Sequence, residues 1–70
     1  MLIHSYRDHS EVDYPYVCAF YVPYDITELH HWLLRTYDED DILTLQSLRW
    51  GELRFRREDH ANWFRLRWAS

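Results

Sequence analysis

Arginine alternates with large apolar residues in the last third of the chain: Leu53, Arg54, Phe55 and Arg56, then Trp63, Phe64, Arg65, Leu66, Arg67 and Trp68. Guanidinium groups pair in a planar, bidentate manner with carboxylates and phosphates, and a tryptophan beside them adds a broad flat surface. A period of two puts Arg54 and Arg56 on one side of a strand and Leu53 and Phe55 on the other. The second run divides in the same way, with Trp63, Arg65 and Arg67 against Phe64, Leu66 and Trp68. Joined by a turn at Asp59, His60, Ala61 and Asn62, the two runs form a hairpin in which Arg56 faces Arg65 and Arg54 faces Arg67. This register keeps both apolar sets on one side, as register selection requires. The other side then carries four arginines and Trp63, and Arg and Trp dominate binding hot spots. Like charges opposed across a ladder repel. The sequence therefore either neutralises them with its own acids, Glu52 and Glu58 first, or uses them on a partner.

A second candidate surface is acidic. Asp38, Glu39, Asp40 and Asp41 follow Tyr37, and Asp8, Glu11 and Asp13 lie beside Tyr14 and Tyr16. Carboxylates among aromatic rings suit a basic groove on an enzyme or nucleoprotein, where they compete with nucleic acid. A solvated loop is the plainer reading of the same residues. Direct nucleic-acid binding by the arginine face is an alternative, because sheets hold single strands by stacking bases on rings and pairing phosphates with cations. Charge opposes it. The chain carries −4 overall, with −7 in residues 1–41 and +3 in residues 42–70, and the acidic part repels a phosphate backbone.

No catalytic residue, metal or cofactor is expected. A single glycine cannot build a phosphate-cradling loop. Cys18 with His30 or His31 is the one nucleophile and base to consider, and a thiol on an apolar strand is normally inert. His30 and His31 are adjacent on a helix and so point about 100° apart. His4 and His9 have no second cysteine to complete a metal site.

The elements that must position these groups follow from patterning. Met1 to Tyr6 reads as a strand and Arg7 to Asp13 as a loop. Tyr14 to Val22 is aromatic and β-branched, a central strand covered on both faces or one with an exposed aromatic face. Pro23 and Tyr24 end it. Asp25 with Glu28 resembles a capping box, and Ile26, Leu29, Leu33 and Tyr37 follow helical spacing, flanked by His30 and Leu34. Trp32 projects away from that stripe. The acids at 38–41 oppose the negative end of the helix dipole, so the helix stops near Tyr37. Residues 42–50 read either as a short helix stopped at Gly51 or as a strand through Leu43 and Leu45 that turns at Gly51 and Glu52; the strand is preferred.

The expected fold is α+β: a four- or five-stranded antiparallel sheet with one helix packed on one face, in the order ββαββ(β). Its core is Val17, Phe20, Ile26, Leu29, Leu33, Leu34, Tyr37, Leu53, Phe55, Phe64, Leu66 and Trp68. Seventy residues make one small domain, near the lower limit for a self-sufficient core, and four Trp, six Tyr and three Phe compensate by their size. One cysteine forms no internal disulfide, no apolar run spans a membrane and no signal peptide is visible, which fits a cytoplasmic protein. The expected function is a non-catalytic inhibitor or adaptor that covers a surface of a larger protein or nucleoprotein, as a phage-type inhibitor of a host defence or polymerase complex or an immunity protein does. A small nucleic-acid-binding module is the alternative. Trp63, Arg65 and Arg67 are the expected anchors of the inhibitor or adaptor on its partner, with Arg54 and Arg56 as support and Asp38, Glu39, Asp40 and Asp41 as the competing site. Four arginines crowding a two-fold axis favour a monomer or weak dimer.

Overall fold

The structure is a computed structural model that describes residues 1–21, 26–46 and 50–69, and for Gln46 the backbone alone. The expected cap at Asp25, the strand end at Val22 to Tyr24 and Leu48 lie outside the described residues. Six elements follow in the order β1 (Ile3–Arg7), β2 (Tyr16–Tyr21), α1 (Thr27–Thr36), β3 (Ile42–Gln46), β4 (Trp50–Phe55) and α2 (Glu58–Trp68). The strands form one four-stranded sheet in the order β1-β2-β4-β3, antiparallel throughout. The class is α+β, as patterning implies, with a second helix where a strand was expected.

Register sorts the strands into two faces. Cys18 lies opposite Leu53, Phe20 opposite Gly51, and Tyr16 opposite Phe55; Ile3 and Ile42 join the same side from the edges. This side is covered. Leu29, Leu33 and Tyr37 come onto it from α1 at a spacing of four, and Ala61 and Phe64 from α2, making one buried cluster with Cys18, Phe20, Leu53 and Phe55. The helices also meet each other: the Trp32 ring lies 6.2 Å from Phe64 and 6.0 Å from Trp68. Trp32 therefore packs inward, against the expectation that it projects away, because α2 supplies the surface for it.

The segment 58–68 is the main correction. The expected turn at Asp59 to Asn62 and the strand from Trp63 to Trp68 are both part of α2. Two causes favour the helix. Ala61, Phe64 and Trp68 recur at helical spacing and all face the core. Glu58 and Asp59 occupy its first turn and Arg65 and Arg67 its last, the charge order the helix dipole favours. Leu66, expected in the core, is then 82% exposed. Leu34 is exposed for the same reason of phase on α1, and Ile26 and Trp68 are only partly buried. Gly51 and Glu52, expected to turn, sit inside β4, so the β3–β4 connection comes earlier in the chain.

Candidate functional site

The second helix dissolves the four-arginine face. Arg54 points to the side of the sheet away from the helices, while Trp63, Arg65 and Arg67 ride on α2, on its opposite side. Each arginine has a partner within the chain. Arg54 binds Asp8 through Nη1 and Glu52 through Nε, both at 3.0 Å. Arg56 lies over the Tyr14 ring, 5.0 Å from its centroid, and donates to the Tyr14 hydroxyl. Arg65 donates to Ser5 Oγ and Asn62 Oδ1. Arg67 reaches Glu28 and stacks on Trp68. Trp63 remains 57% exposed, without the ladder of cations expected around it.

The acidic run closes the turn between α1 and β3, where the Asp41 N–H donates to the Asp38 carbonyl. Among the described residues, the carboxylates of Asp38, Glu39 and Asp40 form no ion pair. The charge of Asp41 acts on Arg56, and the Arg56 N–H donates to the Asp41 carbonyl.

The surface that the sequence pattern did not single out is the uncovered face of the sheet. Tyr6 and His4 from β1, Val17, Ala19 and Tyr21 from β2, Trp50, Glu52 and Arg54 from β4, and Leu43 and Leu45 from β3 share it by alternation. Val17 and Ala19 are small and lie in the middle, shielded by longer neighbours across the ladder, so they are buried although no helix covers them. Around them, Tyr21 is 69% exposed, and Tyr6, Trp50, Leu43 and Leu45 are exposed as well. Tyr21 meets Trp50 edge to face at 5.1 Å. The exposed aromatic face offered as one reading of β2 is the signal that would have found this surface.

Its electrostatics are internally closed. The Tyr6 hydroxyl donates to Glu52, and desolvation followed by the Glu52 charge raises the phenol above its ordinary value. The Ser10 hydroxyl, then Arg54, then the Ser10 N–H hold the Asp8 carboxyl down at about 2, from an ordinary 3.8. A depressed carboxylate adds stability that is present above the ordinary value and is lost as pH falls through the folded one. In an NMR titration, Asp8 is therefore expected to protonate near pH 2. In Arg54→Met it should protonate higher, yet below the ordinary value, because both Ser10 bonds remain. An Asp8 that titrates at its ordinary value in the unaltered chain rules out the Arg54 and Ser10 contacts.

Cys18 is fully buried, its thiol facing the Ala61 carbonyl, and burial pushes it up to about 11. A thiol so raised is not a nucleophile near neutral pH. His30 and His31 are exposed on α1. Among the described residues no three of His, Cys, Asp and Glu gather to hold a metal ion, and no helix is long and apolar enough to cross a membrane. Fold and surface together define a small α+β domain with two helices on one sheet face and the other face open. No protein-family model, no curated protein and no solved structure matches the chain.

Proposed function

We propose that the chain is a non-catalytic binding protein, an inhibitor or adaptor, that covers an apolar patch on a larger protein with the uncovered face of its sheet. One observation carries this reading: Tyr21, Trp50, Tyr6, Leu43 and Leu45 stand exposed together on one side of a sheet whose other side is closed by both helices. Exposed aromatic and aliphatic side chains gathered on one face of a domain this small mark a contact surface, and aromatic side chains are the commonest anchors of such contacts. The charge on the face favours protein over nucleic acid. Among the described residues of its strands the one arginine, Arg54, already binds two carboxylates, and the chain as a whole carries −4, which disfavours a phosphate backbone. This reading moves the site away from Trp63, Arg65 and Arg67.

The test is photocrosslinking in cells that naturally contain the chain. A photoreactive residue replaces Tyr21 in one variant and Trp63 in another, and a Tyr21→Ser, Trp50→Ser double variant serves as competitor. One discrete protein should crosslink from position 21 and not from position 63. The unaltered chain should compete for it, and the double variant should compete about 30-fold or more less well, the loss that roughly 2 kcal/mol at a hot spot corresponds to. The double variant loses the edge-to-face contact between the two rings, about 0.5–1.5 kcal/mol, and should stay folded with a lowered melting temperature, because neither ring belongs to the core under the helices. Crosslinks to nucleic acid from position 21, or a protein captured only from position 63, overturn the reading.

A further inference from the structure

β3 is an edge strand, paired with β4 alone. The Arg56 N–H to Asp41 carbonyl bond, 3.0 Å, fixes which pairs of the ladder are hydrogen-bonded. Residues 41 and 56 form a hydrogen-bonded pair, so 43 with 54 and 45 with 52 are the next such pairs. Leu43 and Leu45 thus turn their amides to β4, whereas Ile42 and Thr44 turn theirs outward, where no strand of the described residues meets them.

Sheet edges are normally blunted by charge, proline or a bulge, because unpaired backbone groups recruit other strands. The other edge follows this rule. β1 ends in Arg7, and Arg65 of α2 binds Ser5 on it. The β3 sequence, Ile-Leu-Thr-Leu-Gln, contains no charge, proline or glycine. Beside it, an open cleft of ≈ 400 Å³ runs between β3 and α1, floored by Leu33, Leu34, Ile42 and Thr44 and rimmed by Asp38 and Glu39. Leu34 is 67% exposed there.

We propose that β3 is a strand-addition site for an extended segment of another protein, apolar at alternate positions and basic at its C-terminal end, paired antiparallel to β3. Backbone groups of Ile42 and Thr44 supply the hydrogen bonds, and alternate side chains of the guest supply specificity. One set drops into the cleft on Leu33, Leu34 and Ile42. The other continues the open face beside Leu43 and Leu45. Antiparallel pairing brings the guest's C-terminal end to the acidic turn, where the Asp38 and Glu39 carboxylates have no ion pair among the described residues. That charge favours a guest with two adjacent bases over a second copy of this chain, whose Ile42–Gln46 is uncharged and is followed by a single arginine three residues on. The site stands whether or not the open face binds anything.

Fluorescence anisotropy with the full chain tests it, using a labelled peptide of alternating valine and serine that ends in two lysines. Saturable binding is expected. Exchanging the lysines for glutamates should weaken it by about tenfold, and methylating alternate backbone amides should abolish it. On the protein, Thr44→Pro removes an outward N–H while leaving the β4 side of the ladder intact, as an edge strand permits; it should weaken binding about tenfold as well. The Tyr21→Ser, Trp50→Ser variant should bind the peptide as the unaltered chain does, which separates failure here from failure of the open-face reading. If Thr44→Pro does not fold, the methylated peptide against the unaltered chain decides alone. Absence of binding to the lysine peptide, or equal affinity for its methylated form, overturns the proposal. So does a dimer in sedimentation that Thr44→Pro dissociates, since that assigns the edge to a second copy.

Discussion

Phe55→Ala is expected to cost about 3–5 kcal/mol. Small domains have about 5–15 kcal/mol of total stability, with the smallest at the low end, so the variant should keep only a small margin of stability and unfold at a much lower urea concentration. Phe55 is completely buried on a central strand. Its ring lies 5.3 Å from Tyr37, just past the end of α1, and 5.9 Å from Phe64 on α2. One side chain thereby joins the sheet to both helices, and no single neighbour can move into its place without leaving another contact. Urea denaturation of the unaltered chain and the variant measures the loss. A difference below about 1 kcal/mol would mean the site collapses around the alanine, which a rigid three-element contact forbids. Leu66→Ala provides the contrast: on the solvent side of α2 it should change stability by no more than about 0.5 kcal/mol, whereas a strand with Leu66 in the core would make it as damaging as Phe55→Ala.

The two leucine-rich and aromatic segments of the first half were legible because only one period fits each. Leu29, Leu33 and Tyr37 recur every four residues and are buried together. Tyr16–Tyr21 is aromatic and apolar throughout, which suits a strand covered on both faces or one with an exposed aromatic face. Trp63 to Trp68 was ambiguous in a physical sense. Phe64 and Trp68 belong both to an alternating set and to a helical one, so the decision rests on Leu66 alone in that window. What decides it lies N-terminal to that window: Ala61 extends the helical set, and the acids at 58 and 59, with Arg65 and Arg67 at the other end, match the dipole. Alternation in the flanking runs leaves Asp59 to Asn62 as the turn between two strands, whereas in the helix they form its first turns.

The candidate surface was half legible for a different reason. Alternation correctly placed Arg54 away from the core, on the side opposite Leu53 and Phe55. It could not show that Asp8, remote in sequence, neutralises it, because the β1–β2 loop comes to β4 only through the pairing of three strands. Nor could it show which face the helices leave open. Tyr21 and Leu45 look like core residues until both helices are seen to occupy the other side. An aromatic on the wrong side of a strand is recognised only once the right side is full.

Gly51→Val is expected to destabilise the chain by about 1–3 kcal/mol, although valine is among the best strand formers and glycine among the worst. The cause is the residue opposite. Phe20 pairs with Gly51 across the β2–β4 ladder, and its ring lies over the glycine: a Cβ added there would meet Phe20 Cε2 at 2.6 Å and Cζ at 2.8 Å. The ring has little freedom to withdraw. Phe20 is itself buried, and Phe64 stands 5.8 Å away on its other flank. The backbone of Gly51 is ordinary for a strand, with no positive φ, so the residue is glycine for want of space and not for its conformational freedom. This explains why the chain's single glycine falls inside a strand and not in a turn. A double-mutant cycle with Phe20→Leu isolates the contact. Leucine opens room above position 51, so Gly51→Val should harm the Phe20→Leu background less than the unaltered chain, with a coupling of about 0.5–3 kcal/mol. Additive losses would place the Phe20 ring elsewhere. A Gly51→Val variant more stable than the parent would return position 51 to open sheet, where β-propensity alone decides.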